Sequence, residues 1–365
     1  MPNLLMVSGD RMAAQGVRGA FYNTLAELRK HFERVDIICP RAGSDNVQPF
    51  ENVFIHPSPW PIWLQPWWIR KKGLELSQAN AWSIMTVHEY PPFYNGLGAY
   101  LLWRKIKIPY VLEIHHIPGY PRAASIKEAW YCRLSHVFLA ADAHRASAVR
   151  VVNQHEAPKF LISAGIKNKK IKYFPSLYID TGIFRPEQTE KKYDCAFVGR
   201  LATNKGIDLF VKAVQKAGVS AVIVGDGPLA GAVKRLVYSQ GLADRIALHG
   251  WAKDSSEVAR LLNESKILVI PSFNEGGPRV AMEAMACGIP VISTPVGIVP
   301  DVVQNGATGE IVGWDADEIA LRIRKILSDP AIQDTYAKAG LDIASKFERS
   351  AMIRNYSDFL KTLAR

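Results

Sequence analysis

No stretch of this 365-residue chain approaches the roughly 18 consecutive apolar residues that a membrane-spanning helix requires. Its opening residues, MPNLLMVSGDR, hold no long apolar run either, so neither a signal peptide nor a spanning segment is expected. Cysteine is scarce: Cys39, Cys132, Cys195 and Cys287 form no Cys-x-x-Cys pair and have no histidines at zinc spacing. They read as small buried thiols in a reducing cytoplasm. No zinc-finger or RRM pattern is present, which sets nucleic acid aside as a partner. A dinucleotide fingerprint is missing as well: Gly225, Gly227 and Gly231 fall one residue out of G-x-G-x-x-G, and a turn between strand and helix is the expected role. The pair Asp315 and Asp317, with Ala316 between them, immediately precedes an expected helix, where an aspartate serves as a cap rather than as a metal ligand.

What is present is ordinary globular composition, 48% hydrophobic and 22% charged, in a chain long enough for about two domains. The net charge of +11 is unevenly spread. Residues 1–190 carry 23 Lys and Arg against 15 Asp and Glu, and residues 191–365 carry 22 against 19. An excess in the first half suits an anionic membrane surface or a phosphate-bearing substrate.

Apolar runs at 4–8, 35–39, 84–88, 110–115 and 148–153 read as strands, with helices expected near 20–32, 95–105, 125–145 and 156–163. A further strand over 170–175 precedes a polar linker at 186–192, after which the alternation resumes with strands at 196–199, 221–224, 246–250 and 267–270. This pattern predicts two doubly wound parallel sheets.

Several residues stand where ligands bind in such sheets. The run PSFNEGGPRVAMEAMACGIPVIS, residues 271–293, places Glu275 in the loop after a strand and Glu283 early in a helix expected over 280–287. That loop and the helix amino end present free N–H groups and the positive end of the dipole, with Arg279 and Val280 as donors; Pro278 has no N–H to give. In GRLATNKG, Arg200 and Lys205 supply two cations five residues apart, one forked and one compact. Gly16 and Gly19 lie between the first strand and helix, where a backbone approaches phosphate closely. His115 and His116 end a strand ahead of Pro118 and Gly119. Between residues 57 and 73, Trp60, Trp63, Trp67 and Trp68 are followed by Arg70, Lys71 and Lys72. Indoles with clustered cations suit an anionic membrane interface, while prolines exclude a long regular helix there. A loop folded onto the first domain is the alternative.

The frame E-G-x-P-x-V-x-x-E-A-M-A-x-G-x-P-V-I around Glu275 and Glu283, together with G-R-L-x-x-x-K-G and the Gly297, Pro300, Asp301, Gly306, Gly309 series, resembles the retaining glycosyltransferases of family 4. The resemblance spans nearly the whole chain. It implies the GT-B fold, two Rossmann-like domains facing across a cleft: an acceptor domain over 1–185, a nucleotide-sugar domain over 186–345, and a C-terminal helix over 346–365 that crosses back. It further implies metal-independent, cofactor-free transfer from a nucleotide diphosphate sugar to a glycan or lipid-linked acceptor. Arg200 and Lys205 then clamp the diphosphate, Glu275 holds sugar hydroxyls, Glu283 the ribose, and His115 approaches the sugar from the first domain. Trp251 follows a strand near where the base is held. Two departures stand out: His116 occupies a position where Asp is commoner, and Gly277 one where a larger apolar residue is usual. Related chemistries on such a cleft are epimerisation and phosphorolysis, and a non-catalytic membrane adaptor is the remaining class. The expected location is the cytoplasm, at the inner face of the membrane.

Overall fold

The computed structural model describes residues 1–43 and 46–364. Arg365, the last residue of the expected C-terminal segment, lies outside them. The chain divides into two compact units, one made of Met1–Ile117, Tyr131–Ser176 and Arg349–Arg365, the other of Pro118–Trp130 and Leu177–Glu348.

The first unit is built on eight strands: β1 (Asn3–Val7), β2 (Arg34–Cys39), β3 (Val47–Phe50), β4 (Val53–Pro57), β5 (Ile84–His88), β6 (Tyr110–Ile114), β7 (Ala148–Val151) and β8 (Ile171–Tyr173). They lie in the order β3-β4-β2-β1-β5-β6-β7-β8, parallel throughout except for the antiparallel edge strand β3. Its helices are α1 (Ala20–Leu28), α2 (Gln65–Ala79), α3 (Tyr94–Ile106), α4 (Ile126–Arg145), α5 (Glu156–Ser163) and α13 (Arg349–Leu363), with the first turn of α4 counted in the other unit. Right-handed crossovers put α2 to α5 on one sheet face. The packing agrees: Gly98 of α3 lies against Ile69 of α2, and Phe93 just before α3 stacks on Phe138 of α4 at 4.8 Å. His136 of α4 meets Ser163 of α5 at 3.1 Å.

The second unit has six parallel strands, β9 (Tyr193–Val198), β10 (Ala221–Val224), β11 (Ile246–Gly250), β12 (Ser265–Ile270), β13 (Val291–Ser293) and β14 (Gly309–Ile311), ordered β11-β10-β9-β12-β13-β14. Its helices are α6 (Ile207–Ala217), α7 (Ala230–Ser239), α8 (Ser255–Asn263), α9 (Arg279–Ala286), the short α10 (Val299–Val302), α11 (Ala316–Leu327) and α12 (Pro330–Ser345). Both sheet faces are covered by apolar side chains. Ala281, Met282, Ala284 and Met285 of α9 join one core cluster, and Phe210, Val211 and Val214 of α6 join the other.

Three sequence expectations need correction. Residues 65–79 form one regular helix, because Pro66 sits in its first turn, where the missing N–H costs nothing. The pair β3 and β4 was not foreseen. Buried Asp36 on β2 and His56 on β4 interrupt the apolar runs, and they are tolerated because His56 Nε2 lies 2.6 Å from Asp36 Oδ1. Strand β7 stops at Val151 rather than 153, since Asn153 turns out of the sheet and its Oδ1 accepts from the Ala157 N–H in the first turn of α5.

Asp315 caps α11, accepting from the Asp317 and Glu318 N–H groups at 2.7 and 3.0 Å. Asp317 pairs with Lys216. Cys39, Cys195 and Cys287 are buried, and burial pushes the Cys39 and Cys287 thiols up to about 12. Among the described residues no helix is long and apolar enough to cross a membrane.

Candidate active site

In the second unit, β9 and β12 are parallel neighbours, so the loops leaving their carboxyl ends emerge side by side. One carries Arg200 and Lys205, the other Glu275. Lys205 Nζ lies 2.7 Å from Glu275 Oε2, and Ser272 Oγ donates to Glu275 Oε1 at 2.6 Å. Both charged side chains are half-buried, so the pair is ordered yet still reachable.

The loops are fixed chiefly by backbone. Phe273 N–H donates to Asn204 O at 2.8 Å, and Trp314 Nε1 donates to Ser272 O at 2.8 Å. Gly206 ends the turn bearing Lys205 at φ +63°, and a Cβ there would stand 2.1 Å from Pro271 O. Glycine is thus required on conformational and steric grounds. Gly225 performs a similar service, since a Cβ there would meet Gly199 O at 2.0 Å. The misaligned glycine series after β10 therefore serves close approach to the Arg200 loop, at a strand-to-helix turn.

Arg200 is exposed and its side chain makes no ion pair among the described residues. Helix α9 starts at Arg279 behind Pro278, leaving the Arg279 and Val280 N–H groups in the turn that has no intrahelical acceptors. The Arg279 guanidinium lies 5.1 Å from the ring of buried Tyr178. One turn on, burial pushes the Glu283 carboxyl up to about 7, with Arg279 opposing. Gly277 packs closely on Leu177, whose Cδ1 would stand 3.0 Å from an added Cβ, so a larger residue here would require Leu177 to move. Trp251 is exposed just beyond β11.

In the first unit, His115 follows β6 and stacks on His88 at the end of β5, centroids 4.4 Å apart. Burial holds both imidazoles below the usual histidine range, His115 well below. His115 Nε2 is buried without a hydrogen-bond partner among the described residues, 3.7 Å from Glu113 Oε2. Glu113 is itself buried, takes Arg150 Nη1 at 3.1 Å and accepts a hydrogen bond from the Tyr356 hydroxyl on α13. Arg150 lies 3.8 Å from the Tyr356 ring and donates to Phe174 O and Pro175 O. His88, Glu113, Arg150 and Tyr356 were not picked out in the sequence. The only signal there was a second histidine ending a strand.

Gly16 ends a short turn at φ +79°, exposed, with nothing within 4 Å of an added Cβ. Of the tryptophan-rich segment, Trp63 and Trp67 are exposed, whereas Trp60 and Trp68 pack edge to face at 5.7 Å. Lys72 is not a surface cation, contrary to expectation: it is buried and pairs with Glu75 at 2.7 Å, while Lys71 leans over Trp60.

The chain is thus built of two α/β units with parallel sheets, the second carrying a cation–carboxylate pair at its strand ends. Comparison supplies the family. Residues 180–342 match the model for glycosyl transferases group 1, and residues 15–176 match the glycosyl transferase 4-like domain. The chain belongs to the family 4 glycosyltransferases and has the GT-B fold. It is 25% identical over 263 residues to an uncharacterized glycosyltransferase of Methanocaldococcus jannaschii, covering 72% of this chain and 70% of that one. It is 26% identical over 297 residues to the alpha-maltose-1-phosphate synthase of Mycobacterium tuberculosis, covering 73% and 76%. Sucrose-phosphate synthase from Thermosynechococcus elongatus superposes with a TM-score of 0.82 at 20% identity, over 100% of this chain and 99% of that one. Anabaena HepE in complex with UDP-glucose gives 0.75 at 18% identity, over 99% and 100%. The chain is a glycosyltransferase.

Proposed function

We propose that the chain transfers a sugar from a nucleotide diphosphate sugar to a glycan or lipid-linked acceptor with retention of anomeric configuration, without a metal ion or other cofactor. The observation that carries this reading is the Lys205–Glu275 pair beside the exposed Arg200 and the first turn of α9. When the bond from the anomeric carbon to the β-phosphate oxygen breaks, negative charge develops on the diphosphate. Lys205, Arg200 and the Arg279 and Val280 N–H groups are donors of the type that stabilise such charge. Glu275 has two roles: it positions the Lys205 ammonium in the free protein, and it takes sugar hydroxyls once the diphosphate competes for that ammonium. Glu283 binds the ribose. Burial holds the His115 imidazole neutral, the state in which a ring nitrogen can accept a hydrogen bond. Complexes of HepE with UDP and UDP-glucose support this donor class, and a relative named as a putative colanic acid biosynthesis glycosyltransferase supports a glycan acceptor. Exposed Trp63 just before α2 and Trp67 on it, with Arg70 and Lys71, form the part of this segment that meets the inner face of the membrane.

The test is thermal stabilisation by a panel of UDP-, GDP- and ADP-sugars with and without magnesium. One magnesium-independent hit, followed by product whose anomeric configuration matches the donor, is expected. An inverted product or a strict magnesium requirement overturns the reading.

A further inference from the structure

The positive charge of the first half is concentrated in one stretch. Residues 94–170 hold twelve Lys and Arg against four Asp and Glu, a net +8, whereas the rest of residues 1–190 balances at eleven against eleven. Three of the four acids are turned inward. Glu113 is buried against Arg150 and Tyr356. Glu128 accepts from the Ala124 N–H and Asn274 Nδ2. Asp142 has a buried Oδ2 in the same small space as Glu89 and Gly96. The helix layer α3 to α5 thereby faces outward with little negative charge.

The same layer exposes large apolar side chains. Leu97 on α3, Leu134, Val137 and Phe138 on α4, and Ile162 on α5 are all exposed, Val137 at 67% and Ile162 at 48%. The α4 residues recur at helical spacing, and Lys159 stands one turn from Ile162. Where α4 ends, a cavity of about 310 Å³ is lined by Lys167, Lys169 and Lys170 with Ala140, Ala143 and Ile166. Lys170 is committed to the fold, donating to the Ala143, His144 and Ala146 carbonyls at 2.9 Å each. Lys167 and Lys169 are exposed cations at that mouth.

We propose that the outer face of α3, α4 and α5 docks on an anionic phospholipid bilayer, with Val137, Phe138 and Ile162 entering the headgroup boundary and Lys159, Lys167 and Lys169 engaging lipid phosphates. Exposed apolar side chains on a cation-rich helix layer, with three of its four acids withdrawn, are complementary to that surface and to neither a neutral bilayer nor a basic protein. This face lies on the same side of the sheet as α2, which packs directly on α3.

Co-sedimentation with phosphatidylcholine vesicles, with and without about 30% phosphatidylglycerol, tests it. Wild type is expected to bind only the anionic vesicles and to release as salt rises. The triple change Lys159→Glu, Lys167→Glu and Lys169→Glu should weaken binding tenfold or more, and Val137→Ser with Ile162→Ser severalfold. Both variants should keep the wild-type melting temperature and the wild-type shift with the stabilising nucleotide sugar. Equal binding to neutral vesicles, undiminished binding by both variants, or a wild-type dimer that the serine variant splits while vesicles go unbound would overturn the proposal. A protein that binds anionic vesicles yet no nucleotide sugar sinks the functional reading and leaves this one standing.

Discussion

The two units handle charge in opposite ways. In the second, Lys205 and Glu275 sit on short loops whose paths are set by backbone hydrogen bonds and by glycines that no other residue replaces. In the first, a buried carboxylate, Glu113, is satisfied by side chains from a distant strand and from the last helix, and it backs a neutral histidine. A site for a nucleotide diphosphate needs N–H groups and small residues at fixed backbone positions, which constrains local sequence. A site built from packed side chains constrains only the pairing, which any of several residue sets can satisfy. The contrast explains why one unit is dense in motifs and the other is not.

The largest test of this contrast is Glu113→Ala, which leaves Arg150 buried without its carboxylate and should cost about 3–5 kcal/mol of stability. Urea unfolding monitored by fluorescence measures it, and Tyr356→Phe should cost less, about 1.5–3 kcal/mol for a hydrogen bond to a charged group. A loss under 1 kcal/mol for Glu113→Ala would show that the network is not what holds α13 to the first sheet.

In the second unit, Lys205→Ala and Glu275→Ala should each lower kcat on the order of 10²–10³-fold while changing stability little. If instead the melting temperature collapses, the pair is structural and the comparison fails on that side. Gly206→Ala should destabilise by roughly 1–3 kcal/mol or more, because φ +63° and the approach to Pro271 O are both violated. Activity per folded molecule should fall as well, since Lys205 is the preceding residue.

The smallest effect concerns Glu283, whose carboxyl is raised to about 7 by burial. A carboxyl with a folded pKa above its unfolded value takes up a proton on folding between those values. Its neutral form therefore favours the fold at low pH, and that stabilisation is lost as pH climbs from about 4.5 toward 7. Glu283→Gln should accordingly melt higher than wild type at pH 8 and alike at pH 4.5, as differential scanning calorimetry at the two values will show. Equal melting at both would mean that the carboxyl is well solvated.

Much of the architecture was legible because strand and helix periodicities are local. Most strands and the helices at 125–145 and 156–163 could be placed from apolar spacing alone, and Lys205 and Glu275 from their frames. The misses have equally local causes. A proline breaks a helix only beyond its first turn, and Pro66 stands within that turn. Strand β4 was hidden by His56, whose burial makes sense only with Asp36 beside it. Lys72 counted as a surface cation because a run of three cations does not reveal which one points inward.

Read alone, the sequence carries the order of most strands and helices, β3, β4 and α2 excepted, together with the glycine-bound turns after β9 and β12 and the chemical character of the residues those turns present. It could do so because these depend on neighbours within about ten positions along the chain. Only the tertiary structure decided that Lys205 and Glu275, 70 residues apart, form a pair. It alone joined Glu113 to Arg150 and Tyr356 across separations of 37 and 243 residues. Strand order in a sheet sets which loops become neighbours, and that order is fixed by burial summed over a whole domain rather than by any stretch of residues read alone.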